Sequence, residues 1–348
     1  MNRRTFLRRS SLGLAGAGLA AAFGGRASGE ASVGATRLVK VDHAGATDET
    51  GAGHAAVVKR MVDRAVKELS GKDSLAAAWA EYVKPDDVVG LKLNVRGGKY
   101  LSVQPCLVDA IVAGLTAAGV AENHIIVWDA WTRELPIAGY TLNTSDEGVR
   151  CYATERGSYE PGKRLSRGQR REALKPFYES DPVTVADKQV WFSKILAREV
   201  TALINVPMIK DHNITGVTCA MKNLYGAILN PGDLHGNRCD PYIAALNLTP
   251  PIKDKTRLIL VDGLRALYHG GPHDNPKCRW RQNSIVAGTD PVAVDALALK
   301  IIEAKREAEG MDPIGHKAQH VATAAKMGLG TNDPDRIDLR EIDLDTEA

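Results

Sequence analysis

Two short apolar runs with one helical segment between them constrain this chain most. Val88 to Val95 follows the turn chemistry of Pro85-Asp86-Asp87 and ends at Gly97-Gly98. A helical pattern from Leu107 to Ala118 stops at Gly119, and a second apolar run, Ile125 to Trp128, follows it. A strand, a crossover helix and a strand at this spacing predict a βαβ unit, and hence a mostly parallel sheet.

The rest of the pattern extends that unit. From Ala55 to Leu69 apolar residues recur at three and four positions, which predicts an amphipathic helix. Val200 to Val206, Arg257 to Asp262 and Ser284 to Ala287 read as further strands. The last leads through Gly288-Thr289-Asp290-Pro291 into a helix from Val292 to about Ala304, with Asp290 as its N-cap and Pro291 as its first residue. Between Leu135 and Lys188 glycines, charges and prolines erase the periodicity, so residues 135–188 are expected to form an irregular insertion. The expected class is α/β: a mostly parallel sheet with helices on both faces, in one large domain or two coupled lobes over residues 31–348.

Residues 1–30 read differently. Asn2-Arg3-Arg4-Thr5-Phe6-Leu7-Arg8 is a charged start, Leu12 to Gly25 is rich in Ala and Gly, and small residues surround Ala27 to Gly29. That order is the order of an export signal, and the adjacent arginines followed by Phe and Leu resemble the twin-arginine pattern. The apolar stretch falls short of the ~20 residues a membrane helix needs. The expected partner is the twin-arginine translocase, and the expected location is periplasmic or extracellular, with a membrane tether if the leader is not cleaved. Gly16-Ala17-Gly18-Leu19-Ala20-Ala21 mimics a dinucleotide fingerprint but has no strand before it.

The 348 residues are 44% hydrophobic and 25% charged, the composition of a folded globular chain, and a formal charge of +3 gives no case for nucleic acid. A basic run at Lys163, Arg164, Arg167, Arg170 and Arg171 lacks interleaved aromatics and reads as a solvated insertion surface or a contact for an anionic partner. Cys106, Cys151, Cys219, Cys239 and Cys278 include no C-x-x-C pair, so no in-chain iron–sulfur cluster is expected; Cys239 and Cys278 are the nearest pair for a disulfide.

Chemistry concentrates in Asn205-Val-Pro-Met-Ile-Lys-Asp-His-Asn-Ile-Thr-Gly-Val-Thr-Cys-Ala-Met-Lys-Asn-Leu-Tyr-Gly226, which begins at the carboxyl end of an expected strand. If the stretch after His212 is helical, His212, Thr215, Cys219 and Lys222 share one stripe. Such groups are expensive to bury without partners, which points to a ligand-facing surface. The alternative is that they bond within the protein. Asp262 and Asp290 sit at expected strand ends, where carboxylates reach ligands.

This segment, with Leu91-Lys92-Leu93-Asn94 upstream and Val261-Asp262-Gly263, Gly270-Gly271-Pro272 and Asp290-Pro291-Val292-Ala293-Val294-Asp295 downstream, resembles the domain of unknown function 362 family over most of residues 85 to 305. Some members of that family carry ferredoxin-type clusters, whose cysteines this chain lacks. A second, shorter likeness is to the lactate racemase catalytic family: His212, Gly216, Lys222 and Gly226 have a similar spacing. There the lysine tethers a nickel-containing cofactor and histidines serve the metal and proton transfer. Only His212 and Lys222 match those functional positions, Ala220-Met221 replaces a doubled glycine, and a later metal-binding histidine has no aligned counterpart, though His235 is nearby.

Two readings follow. One is an exported enzyme with His212 and Lys222 as catalytic groups. Lys92, Asn94, Lys210, Thr215, Thr218, Asn223, Asp262 and Asp290 would bind an anionic ligand. His212 and His235 would hold a divalent metal, or a lysine-tethered metal cofactor would be bound. The other is a non-catalytic periplasmic binding or accessory protein. The leader gives the first test. Paired guanidinium groups are poorly copied by lysine, so Arg3→Lys with Arg4→Lys should leave folded protein in the cytoplasm on cell fractionation; unchanged export would contradict the twin-arginine reading.

Overall fold

The computed structural model describes residues 35–156 and 166–347. The leader and the basic residues Lys163 and Arg164 lie outside the described residues. In chain order the elements are β1 (Thr36–Asp42), α1 (Ala55–Ser70), α2 (Leu75–Ala80), β2 (Val89–Lys92), α3 (Pro105–Ala117), β3 (Ile125–Trp128), α4 (Glu134–Ile137), β4 (Arg150–Cys151) and α5 (Arg167–Leu174). There follow β5 (Val183–Val185), β6 (Lys188–Val190), β7 (Ala202–Asn205), β8 (Met208–His212), β9 (Gly216–Thr218), α6 (Ala220–Asn223), α7 (Tyr242–Asn247) and α8 (Pro250–Lys253). The chain closes with β10 (Thr256–Leu267), β11 (Arg279–Gly288), α9 (Pro291–Ala308), α10 (Gln319–Lys326) and β12 (Ile337–Asp343).

One sheet of ten strands runs β12-β1-β11-β10-β7-β2-β3-β4, with β8 and β9 branching from β10. Along that path only β11 opposes its neighbours; every other contact is parallel. The mostly parallel α/β sheet expected from the βαβ spacing is therefore present. The strands alternate between two cores. Val89 and Leu91 of β2, Ile125 and Val127 of β3, and Ala202 and Ile204 of β7 pack with α1, α2 and α3. Ile126, Trp128 and Leu203 face the opposite way, toward α6, α7, α9 and α10. Helices thus cover both faces, as central parallel strands require. On α1 the stripe Val58, Met61, Val62, Ala65 and Val66 is buried, each of the larger side chains contributing about 1.5–3 kcal/mol.

The connections locate the functional edge. From β2 the chain crosses through α3 to β3 and onward to β4, away from β7. From β7 it returns through α6, α7 and α8, on the opposite face, to β10 on the other side. The strand order therefore reverses between β2 and β7. In open α/β sheets such a switch point leaves a crevice at the carboxyl ends of the two strands, because the helices that follow them depart on opposite faces.

Several sequence expectations change. The segment after His212 is not a helix: β8 and β9 form a hairpin pairing Lys210 with Thr218 and His212 with Gly216, and Gly216 takes the left-handed backbone (φ +73°) that closes the turn. The β-branched run Ile214, Thr215, Val217 and Thr218 favours that outcome. Part of the expected insertion, β4, completes the sheet edge beside β3. All five cysteines are free, so no Cys239–Cys278 disulfide forms. Asp290 does cap α9, its carboxylate accepting from the backbone of Val292 and Ala293.

Candidate functional site

The crevice is floored by a polar network that begins on two strand ends. Lys92, the last residue of β2, is 1% exposed and gives one hydrogen bond to Asp129 at 2.7 Å and another to the Leu93 carbonyl at 2.6 Å. Asp129, just past β3, also accepts from the backbone of Val95 and Ala130. A buried pair of this kind needs such extra bonds to offset desolvation. Gly226 closes over it: a Cβ there would lie 2.8 Å from Lys92 Nζ and 2.9 Å from Asp129 Oδ1.

Three asparagines carry the network across the switch point. Asn223 on α6 donates to Asn205 at the end of β7 (2.8 Å) and to the Lys92 carbonyl (3.2 Å), and accepts from Asn94 (3.1 Å). Asn205 in turn donates to the Ala220 carbonyl at 2.8 Å. This fixes α6, and with it Lys222, against the ends of β2 and β7.

Above the floor the balance of donors and acceptors changes. Lys210 is 2% exposed and, among the described residues, makes one hydrogen bond, to Asn94 Oδ1 at 2.8 Å. Burial pushes its amine down to about 8. Thr218, its cross-strand partner on the same face, has a buried hydroxyl without a partner among the described residues. Lys222 is 7% exposed, with only long contacts to His235 Nε2 (3.5 Å) and Cys239 Sγ (3.6 Å) and with its ammonium 4.1 Å from the Tyr225 ring centre. Burial lowers its pKa as well. Tyr225 is itself held, its hydroxyl donating to the Leu234 carbonyl.

The two histidines have different tautomers. His212 Nδ1 accepts from the backbone N–H of Ile214 (3.1 Å) and Thr215 (3.4 Å), so the neutral ring carries its proton on Nε2. Burial first, then the nearby Lys222, His235 and Lys210, push its pKa down to about 2. His212 is thus a neutral donor at ordinary pH. His235 is the reverse: its Nδ1 lies 2.8 Å from the Pro231 carbonyl and must donate to it, leaving a lone pair on Nε2 toward Lys222. The two rings are 6.5 Å apart.

That difference bears on the expected metal. A ligating histidine normally donates its other ring N–H to an acceptor, but His212 Nδ1 faces two N–H donors, so the neutral ring has no lone pair for a metal. The pair His212 and His235 does not fit a divalent ion or a histidine-held metal cofactor. Among the described residues no group of three or more His, Cys, Asp or Glu side chains is placed to hold one either.

Other sequence candidates fall elsewhere. Thr215 donates to the Val217 carbonyl within the hairpin. Asp262 accepts from the backbone of Gln104 and Leu264, anchoring the start of α3, and burial raises its pKa to about 6. Asp290 holds α9 and the Thr331 backbone. These two carboxylates are structural and do not reach the crevice, a correction to their expected ligand role. Cys219 is fully buried in the core. Asp129, Asn205 and Cys239 were missed; Asp129 directly follows the Ile125–Trp128 run and Asn205 ends another, so the strand-end rule reached both. No signal in the sequence pointed to Cys239. Beneath α6, His320 lies 3.8 Å from Asp295, both fully buried. An open groove of about 730 Å³ near Arg171, Tyr178, Trp191 and Lys194 includes none of the crevice side chains.

The family model described as Domain of unknown function (DUF362) matches residues 89–300, which contain every one of these crevice residues. The chain belongs to the DUF362 family. No curated protein matches it in sequence. Among solved structures it is similar to a protein from Thermotoga maritima determined as a structural genomics target, with a TM-score of 0.36 and 13% identity over 71% of this chain and 59% of that one. The chain therefore spans less than two thirds of that protein's length. In this DUF362 chain the expected motifs lie together in space: Asn94 is 116 residues from Lys210 and 129 from Asn223, yet bonds to both.

Lys210 gives the test of this geometry. With a folded pKa near 8 against 10.5 unfolded, the unfolded chain binds the proton more readily in that window, so stability from this group rises with pH between about 8 and 10.5 and is lowest below 8. Lys210→Met should therefore stabilise the protein by about 2 kcal/mol at pH 7 in urea denaturation, after allowing for the lost bond to Asn94. The gain should shrink as pH approaches 10.5. A variant destabilised at pH 7 would show that Lys210 serves the fold.

Proposed function

We propose that this DUF362 protein is an enzyme acting on a small anionic ligand, a carboxylate or oxyanion, bound in the switch-point crevice. One observation carries the reading: the buried donors of Lys210, Thr218 and Lys222 exceed the acceptors around them, whereas Lys92, equally buried, is matched by Asp129 and a carbonyl. Buried positive charge that nearby carboxylates compensate only in part, as Asp129 and Glu134 do for Lys210, is costly, and an anion is the partner that would relieve it. His212 Nε2–H adds a neutral donor, and exposed Arg96 with half-buried Glu134 is close enough to Lys210 to influence its charge. The lone pair of His235 toward an amine favours catalysis over simple binding, since a binder gains nothing from a base aimed at its own lysine.

We also propose that the leader sends the protein through the twin-arginine translocase to the periplasm or beyond. Support comes from Arg3 and Arg4 in their sequence context. Among the described residues no helix is long and apolar enough to cross a membrane.

Binding of an anion to the native state raises its melting temperature by mass action. In a thermal-shift series with phosphate, sulfate, oxalate and pyruvate, at least one anion should raise Tm in a saturable way, and the shift should vanish in Lys210→Met. Equal shifts in the wild type and the variant for every anion would contradict a site at Lys210.

A further inference from the structure

We propose that Lys222 is a nucleophilic amine that captures a small carbonyl-bearing anion, of the 2-oxo acid class, as an imine, with His235 accepting the ammonium proton. The inference rests on the anion site just proposed and adds its substrate class.

The geometry requires an amine kept reactive. Most buried lysines end in a carboxylate or in carbonyls, as Lys92 does on the same floor. Lys222 ends in none among the described residues: its neighbours are a thiol, an aromatic face and an imidazole lone pair. The lone pair is held in place, because the Pro231 carbonyl fixes the proton of His235 on the other nitrogen. Low polarity around the amine favours its neutral form, which is the nucleophilic one, and the lowered pKa of Lys222 agrees. The segment that carries His235 and Cys239 is held in unusual backbone: Asn237, Arg238 and Cys239 have φ of 46°, 55° and 64°. Three successive non-glycine residues in the left-handed region persist only when their surroundings impose it. Here Arg238 ties the segment to the His316 carbonyl at 3.2 Å, and Cys239 is fully buried against Lys222.

The partner's chemistry follows from what surrounds the amine. An amine nucleophile needs a carbonyl carbon; Lys222 and Lys210 both lie near enough to His212 to shift its pKa, so the Lys210 ammonium and the hydroxyl of its cross-strand partner Thr218 are the donors for a carboxylate next to that carbonyl. In the step, the Lys222 ammonium passes one proton to His235 Nε2. The freed nitrogen pair forms a bond to the carbonyl carbon and the C=O π pair moves to oxygen; one proton then shifts from that nitrogen to the oxygen, which restores the nitrogen pair and gives a neutral carbinolamine. The imidazolium returns its proton to the departing oxygen, which leaves as water while the nitrogen pair forms C=N. The product is a protonated imine: one ammonium and one carbonyl become one iminium and one water, with no oxidant or reductant needed.

The test uses the whole protein, with pyruvate and glyoxylate as probes and cyanoborohydride to trap any imine as a stable secondary amine. Peptide mass spectrometry should find the reduced adduct on Lys222, at least about tenfold above any other lysine, as expected for a desolvated amine among solvated ones. Lys222→Arg should lose it, and His235→Asn should keep it but form it roughly tenfold or more slowly, the range of one general base. Pyruvate that raises Tm through Lys210 yet labels no lysine preferentially would overturn the imine while leaving the anion site intact. Neither probe binding nor labelling would overturn both. A Lys222 adduct forming at an unchanged rate in His235→Asn would remove His235 from the step.

Discussion

The buried ion pair of Lys92 and Asp129 is the interaction on which the rest of the site depends. It joins the carboxyl ends of β2 and β3, and Asp129 takes two further backbone bonds from Val95 and Ala130. Losing one member of such a pair typically costs about 3–5 kcal/mol, because the other is left charged and unpaired. The Lys92 carbonyl then receives Asn223, Asn223 reaches Asn205, and the short helix α6 is thereby held at the point where the strand order reverses. A four-residue helix has little stability of its own. Its position, and so the position of Lys222, is set by this network and by the Asp295 and Asn247 side chains that bond the Met221 backbone.

A satisfied floor supports an unsatisfied layer above it. Lys210, Thr218 and Lys222 carry buried donors that the protein does not match, while the floor beneath pairs nearly every polar group. This asymmetry separates structural from functional polarity within one crevice. It also explains why His212 and His235, alike in sequence, differ in chemistry: the turn N–H groups of the hairpin take the Nδ1 lone pair of one, and the Pro231 carbonyl takes the Nδ1 proton of the other.

Much of the framework was legible in the sequence because it follows from period and turn chemistry. β3 occupies the run Ile125 to Trp128, α1 begins at Ala55, and Asp290 with Pro291 starts α9 as helix-capping rules require. The hairpin at residues 208–218 is masked in the sequence because His212, Thr215, Cys219 and Lys222 also fit a helical stripe. The opposing signals were local: Asn213 and Gly216 around a short loop, and a run of β-branched residues. Edge strand β12 pairs with β1 across 301 positions of sequence, as between Lys40 and Glu341, and no local pattern encodes such pairing. The uses of Asp262 and Asp290 were equally hidden, since a carboxylate at a strand end serves a ligand or a neighbouring backbone depending on what the fold brings to it.

The central claim is that the buried donors of Lys210, Thr218 and Lys222 are left open for an anion. A crystal of the protein soaked in selenate, a tetrahedral oxyanion with a usable anomalous signal, tests this most directly. The account predicts an anomalous peak within hydrogen-bond distance of Lys210 Nζ, with Thr218 Oγ1 or Lys222 Nζ as a second partner. Selenate bound only at the outer surface, with Lys210 and Lys222 both paired to carboxylates of the protein, would contradict it.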